Sequence, residues 1–116
     1  MQKYLLLFTL AGISPAFAHA FLKASIPAVG AVVASAPKAL TLRYTEDLEV
    51  PFCTVIVTNK TGQQVNMGKP QPVPGHPDEL SVPVNITMPG KYKVSWHALS
   101  VDTHKTQGDY SFTVAP

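Results

Sequence analysis

The sequence has 116 residues, which is enough for one domain and too few for two. Charged residues make up 14% and hydrophobic residues 46%, a balance that excludes a chain disordered throughout. The formal net charge is only +2 and no Lys/Arg cluster is present, so nucleic-acid binding has no electrostatic basis. A single cysteine, Cys53, excludes an internal disulfide framework.

Residues 1–18 have the pattern of a secretory signal peptide. Lys3 precedes an apolar run, residues 4–13, that is far shorter than the roughly 20 residues of a transmembrane helix. Ala16-Phe17-Ala18 supplies small residues before a cleavage point, so we expect a mature domain of residues 19–116 that begins with His19. The alternatives are an uncleaved anchor, or cleavage after Ala20, which would discard His19. We favour cleavage after Ala18 because it lies closer to the apolar run.

The mature segment shows the alternation of short strands. Period-2 patterns over residues 40–44, 80–84, 92–98 and 110–114 each predict a strand with one buried face. The more continuous apolar run, residues 52–57, predicts a strand buried on both faces. The proline-rich stretch 70–78 is predicted to be an exposed connection. With 11 prolines and 7 glycines between short strands, the sequence predicts an all-β sandwich or small barrel.

Three residues carry metal-binding chemistry. An N-terminal His19 offers its α-amine and its ring Nδ1 to one ion, and both donors must be deprotonated to bind. In an extended chain, Asp102 and His104 project to the same face and can point an oxygen and a nitrogen at that ion. Three nitrogens and one oxygen in a tetragonal array suit Cu(II) or Ni(II), and the affinity order peaks at Cu(II).

Other residues have ordinary interpretations. A lone Asp-x-His pair is weak evidence by itself, because His104 could be a surface histidine on a turn. Trp96 is predicted to lie in the core, and His97 on the exposed face of the same strand. Cys53 is predicted to be a buried, inert thiol, far from any copper because copper would oxidise it. The sequence leaves open whether His76, Met67 or Met88 forms a second metal site.

Three motifs resemble those of the CopC-type periplasmic copper-binding proteins. Residues 19–27 match an opening H-x-x-L-x-x-S-x-P, and residues 42–48 are similar to L-x-F-S-E-x-L. Residues 90–104 match G-x-Y-x-V-x-W-x-x-x-S-x-D-x-H, which is followed by Gly108 and Phe112 as in the family. The resemblance covers nearly the whole mature segment.

The resemblance implies a fold and a function. The fold would be a Greek-key, Ig-like β-sandwich or barrel. The ligands of Cu(II) would be the amine and imidazole of His19 with Asp102 and His104, and Glu46 matches a residue near the copper site. The function would be that of a non-enzymatic periplasmic carrier or buffer in copper resistance or homeostasis, beside an inner-membrane copper transporter of the CopD type. Some family members also have a methionine-rich loop for Cu(I). Here Met67 and Met88 are isolated, so the resemblance implies a protein for Cu(II) only.

Two other functions remain as alternatives. An N-terminal histidine chelate with a second histidine also resembles the copper site of polysaccharide monooxygenases, which are oxidative enzymes. Such an enzyme needs an open coordination position for O₂ and a broad substrate surface. The other alternative is a metal-free Ig-like interaction module, since sandwiches host many unrelated functions.

Overall fold

The computed structural model describes residues 20–116. Within these residues, eight strands form two four-stranded sheets, and one 3₁₀ turn spans Val50–Phe52. The strands are β1 Leu22–Ile26, β2 Val32–Val33, β3 Ala39–Tyr44, β4 Thr54–Thr58, β5 Gln71–Val73, β6 His76–Pro83, β7 Gly90–Leu99 and β8 Lys105–Val114. One sheet has the order β1-β3-β6-β5, and the other has the order β2-β8-β7-β4. Among residues 20–116, no helix is both long and hydrophobic enough to traverse a membrane.

Alternating side chains build the core between the two sheets. In β3 the side chains of Leu40, Leu42 and Tyr44 are buried, and the intervening residues face outward. The long strands β7 and β8 pair antiparallel along their whole length, from Gly90 opposite Val114 to Leu99 opposite Lys105. The four predicted alternating strands are therefore confirmed as β3, β6, β7 and β8. Within residues 20–116, the chain passes from one sheet to the other five times, between β1 and β2, β2 and β3, β3 and β4, β4 and β5, and β6 and β7, as in Greek-key sandwiches.

The predicted burial of residues 52–57 on both faces is wrong. Phe52 is 70% exposed in the 3₁₀ turn, and in β4 the side chains of Val55 and Val57 are buried whereas Ile56 is 45% exposed. The physical reason is the architecture: each sheet of a sandwich is covered on one face only, and β4 is also an edge strand.

The proline-rich stretch is also more regular than the sequence predicts. Residues 71–73 and 76–83 form a β-hairpin, β5–β6, around Pro74-Gly75, and Gly75 has the positive φ of 79° that this turn requires. Pro72 is tolerated because β5 is the edge strand of its sheet, where a missing backbone N–H leaves no partner unsatisfied. Pro77 lies in β6 at a position that has no ladder partner on β3 or β5.

One end of the sandwich gathers three segments. The loop of residues 100–104 joins β7 to β8, and residues 45–49 follow β3. The backbone N–H of Val101 donates to the carbonyl of Asp47 at 3.0 Å, and Leu48 forms a β-bridge with Ser100. The N–H of Leu48 in turn donates to the carbonyl of Pro77 in β6 at 2.9 Å. These backbone contacts hold the β7–β8 loop against the opposite sheet.

Candidate metal centre

The β7–β8 loop is a tight turn closed by backbone hydrogen bonds. The N–H of Ser100 donates to the carbonyl of His104 at 3.0 Å, and the N–H of Thr103 donates to the carbonyl of Ser100 at 2.9 Å. Thr103 has a φ of 70°, a left-handed conformation that is strained for a β-branched residue. Such strain persists only where the surrounding structure imposes it. The hydrogen bonds on both sides of Thr103 therefore hold the loop backbone in one conformation.

Asp102 and His104 lie side by side in this loop. Nδ1 of His104 is 3.3 Å from Oδ1 of Asp102, and the two side chains are 48% and 38% exposed, respectively. The sequence predicts that both project from one face of an extended chain. That reason is wrong, because residues 101–103 form a turn and bend and β8 begins only at Lys105. The left-handed Thr103 brings the two side chains together instead.

Ser100 positions both of these residues, and the sequence analysis did not single it out. It is fully buried, and its hydroxyl donates a hydrogen bond to Oδ1 of Asp102. The hydroxyl oxygen of Ser100 also accepts a hydrogen bond from the backbone N–H of His104 at 3.3 Å. The serine that precedes Asp102 by two positions in the quoted motif was the available signal. Its role depends on the turn, which the sequence pattern does not reveal.

The electrostatics of the loop favour a charged carboxylate. The hydrogen bond from Ser100 lowers the pKa of Asp102 below its usual value, and the neighbouring His104 lowers it further through its own hydrogen bond and charge. Asp102 is consequently an anion throughout the physiological pH range. An anionic oxygen beside an imidazole nitrogen is a donor pair that suits a divalent transition-metal ion.

The beginning of the described chain is anchored beside the loop. Ala20 is completely buried, and its carbonyl accepts a hydrogen bond of 2.6 Å from the hydroxyl of Thr106, two residues beyond His104. The N–H of Phe21 donates to Oγ1 of Thr45 at 3.0 Å, and the N–H of Thr45 donates back to the carbonyl of Phe21 at 2.9 Å. His19, the third predicted ligand, lies outside the described residues, as does the predicted signal peptide.

The remaining sequence predictions have separate outcomes. Trp96 is 5% exposed and packs edge-on against Tyr44, with ring centroids 5.1 Å apart, so its core position is confirmed. His97 is exposed, as predicted. Glu46 is half-buried in the segment that contacts the loop, between Thr45 and Asp47, and it remains a candidate.

Cys53 is buried, as predicted, and burial raises the pKa of its thiol. Its Sγ lies 3.9 Å from the carbonyl of Leu99, the residue before Ser100. The thiol therefore lies in the core at the end of the sandwich that carries the β7–β8 loop, rather than far from that end. Burial and a raised pKa keep it unreactive, because the thiolate is the reactive form.

Met67 and Met88 line the same surface cavity. Both line one cavity of about 380 Å³ together with Tyr92, although each methionine is more than half exposed. The hydroxyl of Tyr92 donates to the backbone carbonyl of Met88 at 2.5 Å.

Comparisons with known proteins agree with the fold and the loop. The CopC domain family matches residues 22–115. Protein YobA of Escherichia coli K12 is 36% identical over 99 residues, which cover 84% of this chain and 80% of that protein. Copper resistance protein C of Escherichia coli is 36% identical over 106 residues, which cover 85% of this chain and 83% of that protein.

Solved structures give the same result. The crystal structure of CopC from Methylosinus trichosporium OB3b has a TM-score of 0.79 and 31% identity, covering 84% of this chain and 95% of that one. The crystal structure of PcoC, a methionine-rich copper resistance protein from Escherichia coli, has a TM-score of 0.73 and 34% identity, covering 84% and 99%, respectively. The match spans both sheets and the β7–β8 loop, and this chain belongs to the CopC domain family.

Proposed function

We propose that the mature protein is an exported carrier or buffer of Cu(II), held by the α-amine and imidazole of His19 together with Asp102 and His104. The supporting observation is the anchor at Ala20, whose carbonyl is tied to Thr106, two residues from His104. Consecutive Cα atoms are about 3.8 Å apart, so a residue bonded to Ala20 begins within reach of the Asp102–His104 pair. Glu46 is the candidate to accept a hydrogen bond from a copper-bound imidazole.

Copper binding in copper resistance is the coarse function that goes with the family. Two curated relatives are named copper resistance protein C, and another is named copper transport protein CutJ. The oxidation state follows from ligand chemistry. Nitrogen and carboxylate donors prefer Cu(II), whereas Cu(I) prefers the soft sulfur of thiolates and thioethers.

The donor count favours a carrier over an enzyme. An amine, two imidazoles and a carboxylate would together supply four donors to the ion, which would leave little room for O₂ to bind. We expect the copper-loaded protein, given ascorbate and O₂, to oxidise substrates no faster than free copper does. Sustained turnover above that background would support the oxidative enzyme instead.

Export to the periplasm is part of the proposal. Residues 1–18 would be removed after Ala18, leaving residues 19–116 as the copper-binding domain beside an inner-membrane transporter of the CopD type. The intact mass of the exported protein tests the cleavage site. A mass corresponding to residues 21–116 would show that His19 is lost on export, which would rule out the proposed chelate.

Titration of the mature protein with Cu(II) tests the site itself. We expect a d–d absorption band that saturates at one equivalent. His104→Ala and Asp102→Ala should both weaken copper binding, and His104→Ala should do so more strongly. The loss in His104→Ala should exceed the roughly 10- to 100-fold that follows when a hydrogen-bond partner of a metal ligand is removed. His97→Gln is the matched control because it removes an exposed histidine elsewhere on β7.

Absence of the band would leave the metal-free interaction module as the explanation. A band that His104→Ala leaves unchanged would place the copper elsewhere on the molecule.

A further inference from the structure

Three metal-binding side chains converge at the start of β6, at the same end of the sandwich as the β7–β8 loop but on residues separate from it. They are His76, Asp78 and Glu79, and one donor atom from each lies within 4.8 Å of the other two. Nδ1 of His76 is 3.5 Å from Oε2 of Glu79. In a regular strand, residues 76 and 79 would project to opposite faces, so this contact needs an explanation.

A bulge in β6 provides that explanation. Val73 of β5 pairs with His76, but the preceding Pro72 pairs with Leu80, so residues 77–79 have no partner on β5. Extra residues of this kind bend a strand and redirect its side chains. The N–H of Leu48 donates to the carbonyl of Pro77 at 2.9 Å, which fixes the backbone within the bulge.

The charge around the cluster also favours a cation. Two carboxylates lie beside one imidazole, and the Glu79 side chain is only 15% exposed. Arg43 is the cross-strand neighbour of Glu79 on β3. Within residues 20–116, however, the Glu79 carboxylate contacts the His76 ring and forms no ion pair with Arg43. The carboxylates therefore give the cluster a negative charge that Arg43 only partly offsets.

We propose that His76, Asp78 and Glu79 form a second metal site, for Zn(II), with one nitrogen and two oxygen ligands and water completing the shell. Two ligands at 2.0–2.1 Å from a tetrahedral ion are about 3.4 Å apart, close to the observed separation of the His76 and Glu79 donors. The exposed His76 ring, whose side chain is 59% exposed, can rotate to close the remaining distance to Asp78. This site does not depend on His19 or on the proposed copper function.

Zinc titration of the mature protein, loaded first with one equivalent of Cu(II), tests the proposal. Isothermal titration calorimetry should show one equivalent of Zn(II) bound. His76→Gln and Glu79→Gln should each weaken zinc binding at least tenfold, and His97→Gln should leave it unchanged. The unfolding temperature of each variant, measured without metal, establishes that a loss of binding is not a loss of folding.

The His104→Ala variant separates this proposal from the copper proposal. In metal-free His104→Ala protein, Zn(II) should shift the amide NMR signals of His76, Asp78 and Glu79 whether or not the copper site exists. Zinc binding that His76→Gln does not weaken, shifts centred on residues 100–104, or no zinc binding at millimolar concentration would each overturn the second site.

Discussion

Ser100 shows how a single buried residue can orient two candidate metal ligands. Its hydroxyl contacts the Asp102 carboxylate and the backbone N–H of His104, so one side chain orients both candidate ligands. Hydrogen-bond partners of this kind restrict the ligand side chains before the ion arrives, so metal binding costs less conformational entropy. The chemistry of Asp102 and His104 marks both as candidate ligands in the sequence itself. Ser100 carries no such mark, because a serine acquires this role only through the fold of the turn.

Replacing Ser100 with alanine should affect Asp102 in two ways. Without the hydroxyl, the pKa of Asp102 should rise toward the usual value of about 3.9, and Cu(II) affinity should fall by roughly 10- to 100-fold. A carbon-13 NMR titration of the Asp102 carboxyl measures the first effect, and copper competition measures the second. Ser95→Ala, on the outer face of β7, is the control.

The sign of the pH effect on stability follows from the lowered pKa. A carboxyl whose pKa is lower in the folded state stabilises that state at pH values above its unfolded pKa. This contribution disappears as the pH falls through the folded pKa. The stability difference between the wild type and Ser100→Ala should therefore shrink below about pH 4. An unchanged Asp102 pKa in Ser100→Ala would show that the hydroxyl does not set the charge state.

The β7–β8 hairpin is the element that carries the candidate centre. Trp96 of β7 lies opposite Gly108 of β8, and a Cβ added to Gly108 would lie only 2.8 Å from Cζ2 of the indole ring. The ring therefore packs directly on the backbone of β8. This close approach explains the glycine that follows the Asp-x-His pair in the sequence.

Gly108→Ala should destabilise the protein because the new methyl group overlaps the indole ring. Overpacking of this kind costs about 1–3 kcal/mol. Urea unfolding measures the loss, and Gln107→Ala, on the exposed face next to Gly108, should change stability by less than about 0.5 kcal/mol. Equal stabilities of Gly108→Ala and the wild type would mean that the indole ring can move away at little cost.

Strand composition predicts some elements of this fold better than others. Residues 92–98 and 110–114 alternate cleanly because each sheet has one covered face, and both were predicted. The apolar run around Ile56 suggested burial on both faces, but an edge strand of a sandwich exposes one of them. The β6 bulge and the left-handed Thr103 depend on pairing register and loop closure, which alternation does not encode.

At the scale of the whole molecule, the proposed copper ion links two distant parts of the chain. Ala20 and the β7–β8 loop are far apart in the sequence and come together only in the folded state, where Thr106 holds the carbonyl of Ala20. An ion that needs both segments binds the folded state and not the unfolded one. Copper binding should therefore stabilise the whole sandwich.

The unfolding temperature measures this linkage. Free Cu(II) at 100 times its dissociation constant should add about 2.7 kcal/mol of stability, which corresponds to roughly 10–20 °C in a domain of this size. Removing the copper with a chelator should reverse the increase. The copper-induced increase in unfolding temperature should be much smaller in the His104→Ala protein. An equal copper-induced increase in His104→Ala would argue against a link through the loop.

The most direct test of the account compares two proteins that differ only at the N-terminus. One begins with His19, and the other carries an added methionine before His19, which moves the α-amine away from the imidazole. If the amine and ring of His19 chelate Cu(II), the extended protein should bind copper at least 100-fold more weakly, measured by competition with a chelator of known affinity. Equal affinities for the two proteins would contradict the N-terminal chelate.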